Sequence, residues 1–454
     1  MKNISLKDLL IKIAATDQDR LALRTPTHQA TYRELFEFKW EGPEDEVLVC
    51  CKDFINLSKV LVALDGSVSS ICVVGSEVSE SDLLSILDQK NFSHIITDLD
   101  FSERSEFNSE ETRCVSVSSL QHRDSLDDWS IKNTLWFVPT SGTTSVPKLV
   151  IHSLDSLAKS ALKTSNPASA REVWALFYDV SRYAGYQVFF RALIGGHALV
   201  IPDFNASLNE RISFCARAGV THISATPTLW RKILMCSESD HLNLNQITLG
   251  GEAADQGILN ALRRSFPRAR ITHVYASTET GVGMSVSDGL AGFPMAFTER
   301  DSGLSQVLIR GNRLFIRSLG AGQGYSGAGA LSDDEGWVAT GDIVRVEGER
   351  FHILGRESGV LNIGGDKVIP EYVRNILLEN KNVCDAVIYG KQNPFTGILV
   401  AADIKLNFGI DQAVAKHEIE EFLKERLSSH QRPRVIRFVD EIEVNLTGKA
   451  AQTR

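Results

Sequence analysis

Paired cysteines are missing from this chain. Its seven cysteines, Cys50, Cys51, Cys72, Cys114, Cys215, Cys236 and Cys384, form no CxxC, and an odd number closes no complete disulfide set. Cys50 and Cys51 end an apolar, strand-like run, so buried thiols in a reducing compartment are the expectation. A basic excess is also missing. Lys and Arg number 48 against 57 Asp and Glu, a formal charge of −9, which argues against general nucleic-acid binding and still leaves room for a local basic pocket. No stretch approaches the roughly 20 apolar residues of a membrane helix. The segment Met1–Arg20 lacks the apolar core of a signal peptide. A soluble cytoplasmic protein with no nucleic-acid partner and no membrane span is therefore expected. Neither an internal repeat nor a low-complexity segment is present.

What the chain does have is length and apolar content. With 454 residues and 43% hydrophobic composition, it can bury one large core and a smaller second one. The first 130 residues alternate short β-rich runs (Val47–Cys51, Ser70–Val74, His94–Thr97) with a helix at Ser81–Lys90. Further strands are expected at Val173–Tyr178, Ala198–Pro202, Thr221–Ala225, Gln246–Leu249 and Ile271–Tyr275. Helices are expected at Tyr186–Ile194, Asn209–Ala218 and Pro227–Cys236. That alternation predicts an α/β architecture. From Gln306 the pattern changes to short strands and turns, ending at Phe351–Leu354. A hinge-like Gly355–Gly359 then leads to an α+β segment whose helix, Ala413–Leu427, places Ile419, Phe422, Leu423 and Leu427 on one face.

The strongest local signal is Thr140-Ser141-Gly142-Thr143-Thr144-Ser145-Val146-Pro147-Lys148, directly after the apolar run Leu135–Val138. Successive hydroxyls, backbone N–H groups around Gly142 and a lysine suit a polyphosphate. It is no Walker loop, because proline precedes Lys148 and the strand-like Leu149–Ile151 follows. Four shorter pieces come later: Gly250-Gly251-Glu252-Ala253, Tyr275-Ala276-Ser277-Thr278-Glu279, Thr340-Gly341-Asp342 with Gly355-Arg356, and Asn445-Leu446-Thr447-Gly448-Lys449. Each has an ordinary structural reading as a turn. Each also has chemistry. A two-glycine turn admits a flat base to the backbone. Glu279 offers the hard oxygen that Mg²⁺ prefers. Asp342 can accept from two hydroxyls at once, Arg356 stays charged at any working pH, and an ammonium such as Lys449 stabilises charge gathering on phosphate.

In this order and spacing, the five pieces resemble the adenylate-forming superfamily of acyl-CoA synthetases, peptide-synthetase adenylation domains and firefly luciferase. The resemblance covers about two-thirds of the chain. It implies a large multi-layer N-terminal domain with two sheets and a β-rich subdomain, residues 1–355, and a small mobile C-terminal α+β domain, residues 356–454. It implies ATP and Mg²⁺ as cofactors, and activation of a carboxylic acid as acyl-AMP before transfer to the pantetheine thiol of an acyl carrier protein or CoA. By resemblance, Thr140–Thr144 and Lys148 hold phosphates, and Gly251, Glu252 and Ala253 lie along adenine and line the acyl tunnel. Tyr275, Ala276 and Ser277 sit near the base and the acyl group, Thr278 touches the α-phosphate, and Glu279 helps hold the metal. Asp342 and Arg356 take the ribose, and Lys449 is the catalytic lysine. Gly365, in the loop Gly359–Pro370, gives the thiol arm room.

The chain departs from the family pattern at three places. Ser145 replaces a usual glycine, Ser358 replaces a charged hinge residue, and Asn362 stands where some members have lysine. The acyl-pocket segment, Tyr178–Gly185, is also unusual. Arg182 falls at a position often occupied by histidine, and Tyr183 at the position where amino-acid activators carry aspartate. Arg182 can meet an anion and Tyr183 can stack on a ring. With Gly185, they point to an aromatic or short unsaturated acid. The alternatives are a degenerate nucleotide-binding protein without chemistry and an adenylating amino-acid or amide ligase.

Overall fold

The structure is a computed structural model that describes residues 4–43, 45–100, 112–123, 133–140, 147–164, 171–299, 303–363, 365–393 and 397–442. Two large sheets build the N-terminal body. The eight-stranded sheet runs in the order Gly281–Val286, Arg270–Ser277, Gln246–Leu249, His222–Ala225, Val173–Leu176, Ala198–Val200, Leu21–Arg24 and Gln29–Thr31. Its inner pairs are parallel, as alternating strands and helices require. The connecting helices begin where their sequences say they should. Ser207 and Glu210 form a capping box on Leu208–Arg217, Thr226 caps a helix opened by Pro227, and Asp255 caps Gln256–Ser265. These helices press Ile212, Trp230 and Ile258 onto Ile223, Ile247 and Ile271 of the sheet.

The seven-stranded sheet has the order Gly324–Tyr325, Leu149–Ser153, Leu135–Pro139, Ser70–Val73, Glu46–Cys50, His94–Thr97 and Arg113–Ser116. Helix Tyr183–Ile194 lies in the core that joins the two sheets, burying Tyr186, Phe189 and Phe190 beside Trp136. A five-stranded sheet spans Phe293 to Arg356. The C-terminal body has its own core, in which Val373, Leu377, Ile388, Ile404, Ile419 and Leu423 pack between two helices and a three-stranded sheet. The chain is thus a mixed α/β fold with a large N-terminal domain of several sheets and a smaller C-terminal domain, as expected from the sequence.

The structure moves some boundaries. The helix expected at Tyr186 starts at Tyr183, because Arg182 takes the extended conformation of an N-cap (φ −104°, ψ 156°). Gly355 and Arg356 finish the strand Arg350–Arg356, and a short turn at Glu357–Gly359 follows. The sequence also reads as strand-like over Phe438–Val444; among the described residues, 439–442 are not in a strand, and the last strand is Val435–Phe438. It pairs in parallel with Gly397–Leu406, and its ladder closes with Val439 N–H donating to the Ile404 carbonyl at 3.0 Å. Glu441 then turns to meet Lys232 at 3.0 Å. All seven cysteines are free thiols, with Cys50 and Cys51 buried. Among the described residues, no helix is long and apolar enough to cross a membrane.

Candidate functional site

A crevice of about 1730 Å³ opens at the ends of the eight-stranded sheet, bordered by the five-stranded sheet and by the C-terminal helix Pro370–Leu378. Most sequence-predicted residues line it: Thr140 and Lys148, Arg182 and Tyr183, the stretch Gly251–Ala253, the stretch Tyr275–Glu279, Asp342 and Arg356. Gly185 and Gly365 do not. Ser141, Gly142, Thr143, Thr144, Ser145 and Lys449 lie outside the described residues.

Neighbouring antiparallel strands place Asp342 directly opposite Arg356. Asp342 is only 6% exposed, and its Oδ1 lies 3.6 Å from the Arg356 Nε. The Tyr275 hydroxyl donates to Oδ2, and the Asp342 N–H donates to Thr340 Oγ1 at 3.1 Å. Burial pulls the Arg356 guanidinium down, but Asp342, Glu279, Tyr275 and Tyr325 more than offset it, so its pKa rises. Burial, followed by repulsion from Asp342, holds the Tyr275 phenol well above its usual range. The cluster is therefore a carboxylate aligned by one phenol and one permanent cation.

The base of the hydroxyl loop is clamped shut. Thr140 N–H donates to the Lys148 carbonyl at 2.8 Å, and Lys148 N–H donates to Thr140 Oγ1 at 3.3 Å. The Lys148 ammonium sits 5.2 Å over the Tyr325 ring, and the Tyr325 hydroxyl donates to Glu279 Oε1 at 3.2 Å. Burial, and then the Glu279 charge, push that phenol up to about 12, so it remains a donor. No group of three or more His, Cys, Asp or Glu side chains that could hold a metal occurs among the described residues. Glu279, beside Tyr325 and the base of the hydroxyl loop, offers the single hard carboxylate that Mg²⁺ can use when other oxygens and water complete its shell.

Sequence reading passed over His152. It is fully buried on the Leu149–Ser153 strand, immediately beyond Lys148. Its Nε2 lies 2.7 Å from the Thr278 carbonyl oxygen, and a carbonyl only accepts, so Nε2 carries the hydrogen. Nδ1 lies 3.0 Å from Ser156 Oγ, and the ring sits 5.9 Å from that of Tyr183. Burial drives its pKa down to about 4, against the opposing pull of the Thr278 hydrogen bond and Glu279. His152 is a neutral prop under the Thr278–Glu279 backbone. A lone imidazole directly after the apolar run Leu149–Ile151 was the available signal, as was Tyr325 on the strand paired with it.

Gly251 has φ 82°, the left-handed turn that glycine adopts without strain. Tyr178 supports this turn by donating to the Gly250 carbonyl at 3.3 Å. The Glu252 carboxylate accepts from Thr228 N–H (3.1 Å) and Thr228 Oγ–H (2.7 Å), in the first turn of the preceding helix Pro227–Leu234. Ser277 Oγ is engaged with Thr280 at 3.0 Å. Arg182 donates from Nη1 to the Pro139 carbonyl at 3.2 Å, tying the acyl-pocket segment to the start of the hydroxyl loop. Tyr183 is buried, with burial raising its phenol pKa. Gly185 fits because it lacks a side chain: a Cβ there would stand 2.1 Å from the Asp179 carbonyl oxygen. Asp179 itself accepts from Ser181 N–H at 2.9 Å and Ser181 Oγ–H at 2.8 Å. Gly365 lies in the hairpin that joins Leu361–Ile363 to Asp366–Val368.

The family model described as AMP-binding enzyme matches residues 47–306, and that of the AMP-binding enzyme C-terminal domain matches residues 373–449. A 2-succinylbenzoate–CoA ligase of Bacillus cereus is 23% identical, covering 98% of this chain and 97% of its own. The 4-hydroxybutyrate–CoA ligase 1 of Metallosphaera sedula is 28% identical over 68% of this chain and 59% of its own. The o-succinylbenzoate CoA synthetase of Bacillus subtilis, solved with its acyl-adenylate intermediate, superposes with a TM-score of 0.74 at 20% identity, covering 98% and 97% of the two chains. The first family match alone spans more than half of the residues, and on that ground the chain belongs to the AMP-binding enzyme family.

Proposed function

We propose that the chain uses ATP to convert a carboxylic acid into an acyl-adenylate, releasing pyrophosphate, and then passes the acyl group to the thiol of CoA. The observation that carries this reading is the Asp342 carboxylate. It is nearly buried, aligned by Tyr275 and Arg356, and set at a crevice large enough for a nucleotide and an acyl group. Asp342 accepts from both ribose hydroxyls, and Arg356 faces ribose and phosphate. Gly251, Ala253, Tyr275 and Ala276 flank adenine. Thr140–Thr144 and Lys148 cradle the phosphates, and Thr278 contacts the α-phosphate. Glu279 holds Mg²⁺, which supplies neutralising charge when bound.

A carboxylate is a poor electrophile, and joining it to phosphate creates a good leaving group. Lys449 stabilises the charge that gathers as the acid attacks. In the second half-reaction, residues 356–454 turn against 1–355 near Arg356–Gly359. The turn removes Lys449 and brings the thiol arm past Gly365. The curated relatives are named as CoA ligases, which supports CoA as acceptor; they give an acyl carrier protein no support. Asp179 is already engaged by Ser181, which weighs against recognition of a substrate amine and so against amino-acid activation. Arg182 and Tyr183 bound the acid pocket.

The test is a panel of carboxylic acids with ATP, Mg²⁺ and hydroxylamine. Acid-dependent hydroxamate formation, replaced by a thioester when CoA is added, is the expected result. ATP binding with no acid-dependent product would favour the non-catalytic alternative.

A further inference from the structure

A parallel sheet covered by helices on both faces is ordinarily apolar on both. Here one face obeys and the other does not. The rung Ala175, Ile223, Ile247 and Ile271 lies in the aliphatic core under three helices. The alternate face carries the rung Trp174, His222, Gln246 and Arg270, and next to it Ser224, Thr248 and Thr272. All seven of these line the inner part of the crevice.

Hydrogen-bond chemistry gives this wall a direction. Gln246 Nε2 lies 3.0 Å from the Ile247 carbonyl oxygen, which can only accept, so that atom is the amide nitrogen. It also lies 3.0 Å from Thr272 Oγ1 and 3.2 Å from Thr248 Oγ1, whose oxygens share its second hydrogen. An amide nitrogen accepts no hydrogen bond, so neither threonine spends its own hydroxyl hydrogen on the glutamine, and both keep it for another partner. Neither hydroxyl has an acceptor among the described residues. Charge points the same way. The Arg191 guanidinium, 5.9 Å from the Trp174 ring, and Arg270 line this stretch. Glu172, the carboxylate beside Trp174, is already met by Trp174 N–H at 2.9 Å, His197 at 3.3 Å and His222 at 3.6 Å.

We propose that this wall receives the far end of the acid, and that the substrate carries a second acceptor there, a carboxylate or a keto oxygen. The proposal rests on the ligase reading above. Thr248 lies two residues before Gly250, about 7 Å along the strand, which sets the acceptor's reach from the turn assigned to the adenylate.

The test uses acids matched in shape. One trio is terephthalate, 4-acetylbenzoate and 4-isopropylbenzoate; the other is adipate, 6-oxoheptanoate and 6-methylheptanoate. AMP release gives kcat/KM for each. In at least one trio, the carboxylate or keto member should exceed its isopropyl counterpart by about 10-fold or more, since a wall of unpaired donors penalises a ligand without acceptors. Which member leads separates the two acceptor types. The double variant Thr248→Val/Thr272→Val should lower that ratio about 10-fold, and Thr248→Ser/Thr272→Ser should restore it. Equal or better use of the isopropyl acids in both trios overturns the proposal, as does a ratio unchanged by the valine variant. Silence with all six acids in a protein that still binds ATP also overturns it, whereas failure to bind ATP overturns the ligase reading itself.

Discussion

Asp342, His152 and Lys449 make the sharpest residue-scale claims. Asp342→Ala removes the acceptor for two ribose hydroxyls, and hydrogen bonds to a charged group are worth about 1.5–3 kcal/mol each. ATP affinity should therefore fall by at least about 10-fold in calorimetric titration; unaltered affinity would remove Asp342 from the nucleotide site. Lys449→Ala should cut adenylate formation by about 100-fold or more while ATP binding persists. Pyrophosphate release at the original rate would refute that role. His152→Ala should lower kcat more than it raises the KM for ATP, because it frees the Thr278–Glu279 backbone without touching the ribose cluster. His152→Gln retains a donor and should recover most of the loss. With a pKa near 4, the imidazole stays neutral, so the pH profile between 6 and 8 should not change in either variant. The residues legible in the sequence sit in short contiguous stretches, such as Tyr275–Glu279. His152 and Tyr325 escaped because each works on a partner far along the chain, Thr278 and Glu279, and only the fold reveals those pairings.

At the scale of elements, helix Tyr183–Ile194 shows how one missing side chain positions a site. The Asp179–Arg182 segment closes onto this helix only because Gly185 offers no Cβ to the Asp179 carbonyl. Gly185→Ala should cost about 1–3 kcal/mol in urea unfolding, the usual range for overpacking, and should raise the KM for the acid more than that for ATP. An unperturbed KM for the acid would detach this segment from the acyl pocket. Most strands and helices were readable from periodicity and capping residues. The last strand was not. The sequence offers two overlapping strand-like stretches, Val435–Phe438 and Phe438–Val444; among the described residues only the first forms a strand, with Ile436 and Phe438 packed against the C-terminal core. The polar face of the eight-stranded sheet was equally hidden. Alternation within four-residue strands is too short to separate a ligand-bearing face from a solvated one, and the register is needed to line up His222, Gln246 and Arg270.

The whole molecule should be sensitive to acid. Burial lowers His152 and His273 to about 4, and it also lowers His197, His222 and His352. Unfolded histidine titrates near about 6.5. Between those values the unfolded chain binds more protons than the folded one, so stability falls as pH drops through that window. Asp65 opposes the trend. Burial raises it to about 6, against the hydrogen bonds from Leu6 and Trp136, so its contribution declines as pH rises from about 4 to about 6. Five histidines outweigh one aspartate. The Tm should drop steadily from pH 7 to pH 5, and a flat or rising Tm would contradict the burial of these imidazoles. Across the molecule, the C-terminal domain docks on the core through Arg374, whose Nη2 donates to Thr228 Oγ1 and to Asp385, both at 2.8 Å. Thr228 in turn holds Glu252, so this contact reaches the turn assigned to adenine.

One measurement bears most directly on the central claim: a single turnover with ATP labelled at the α-phosphate, an acid from the matched trios, and no CoA. The account predicts one equivalent of pyrophosphate and an enzyme-held acyl-AMP, which becomes acyl-CoA and AMP when CoA is added. Formation of ADP and inorganic phosphate, or label released without dependence on the acid, would contradict it.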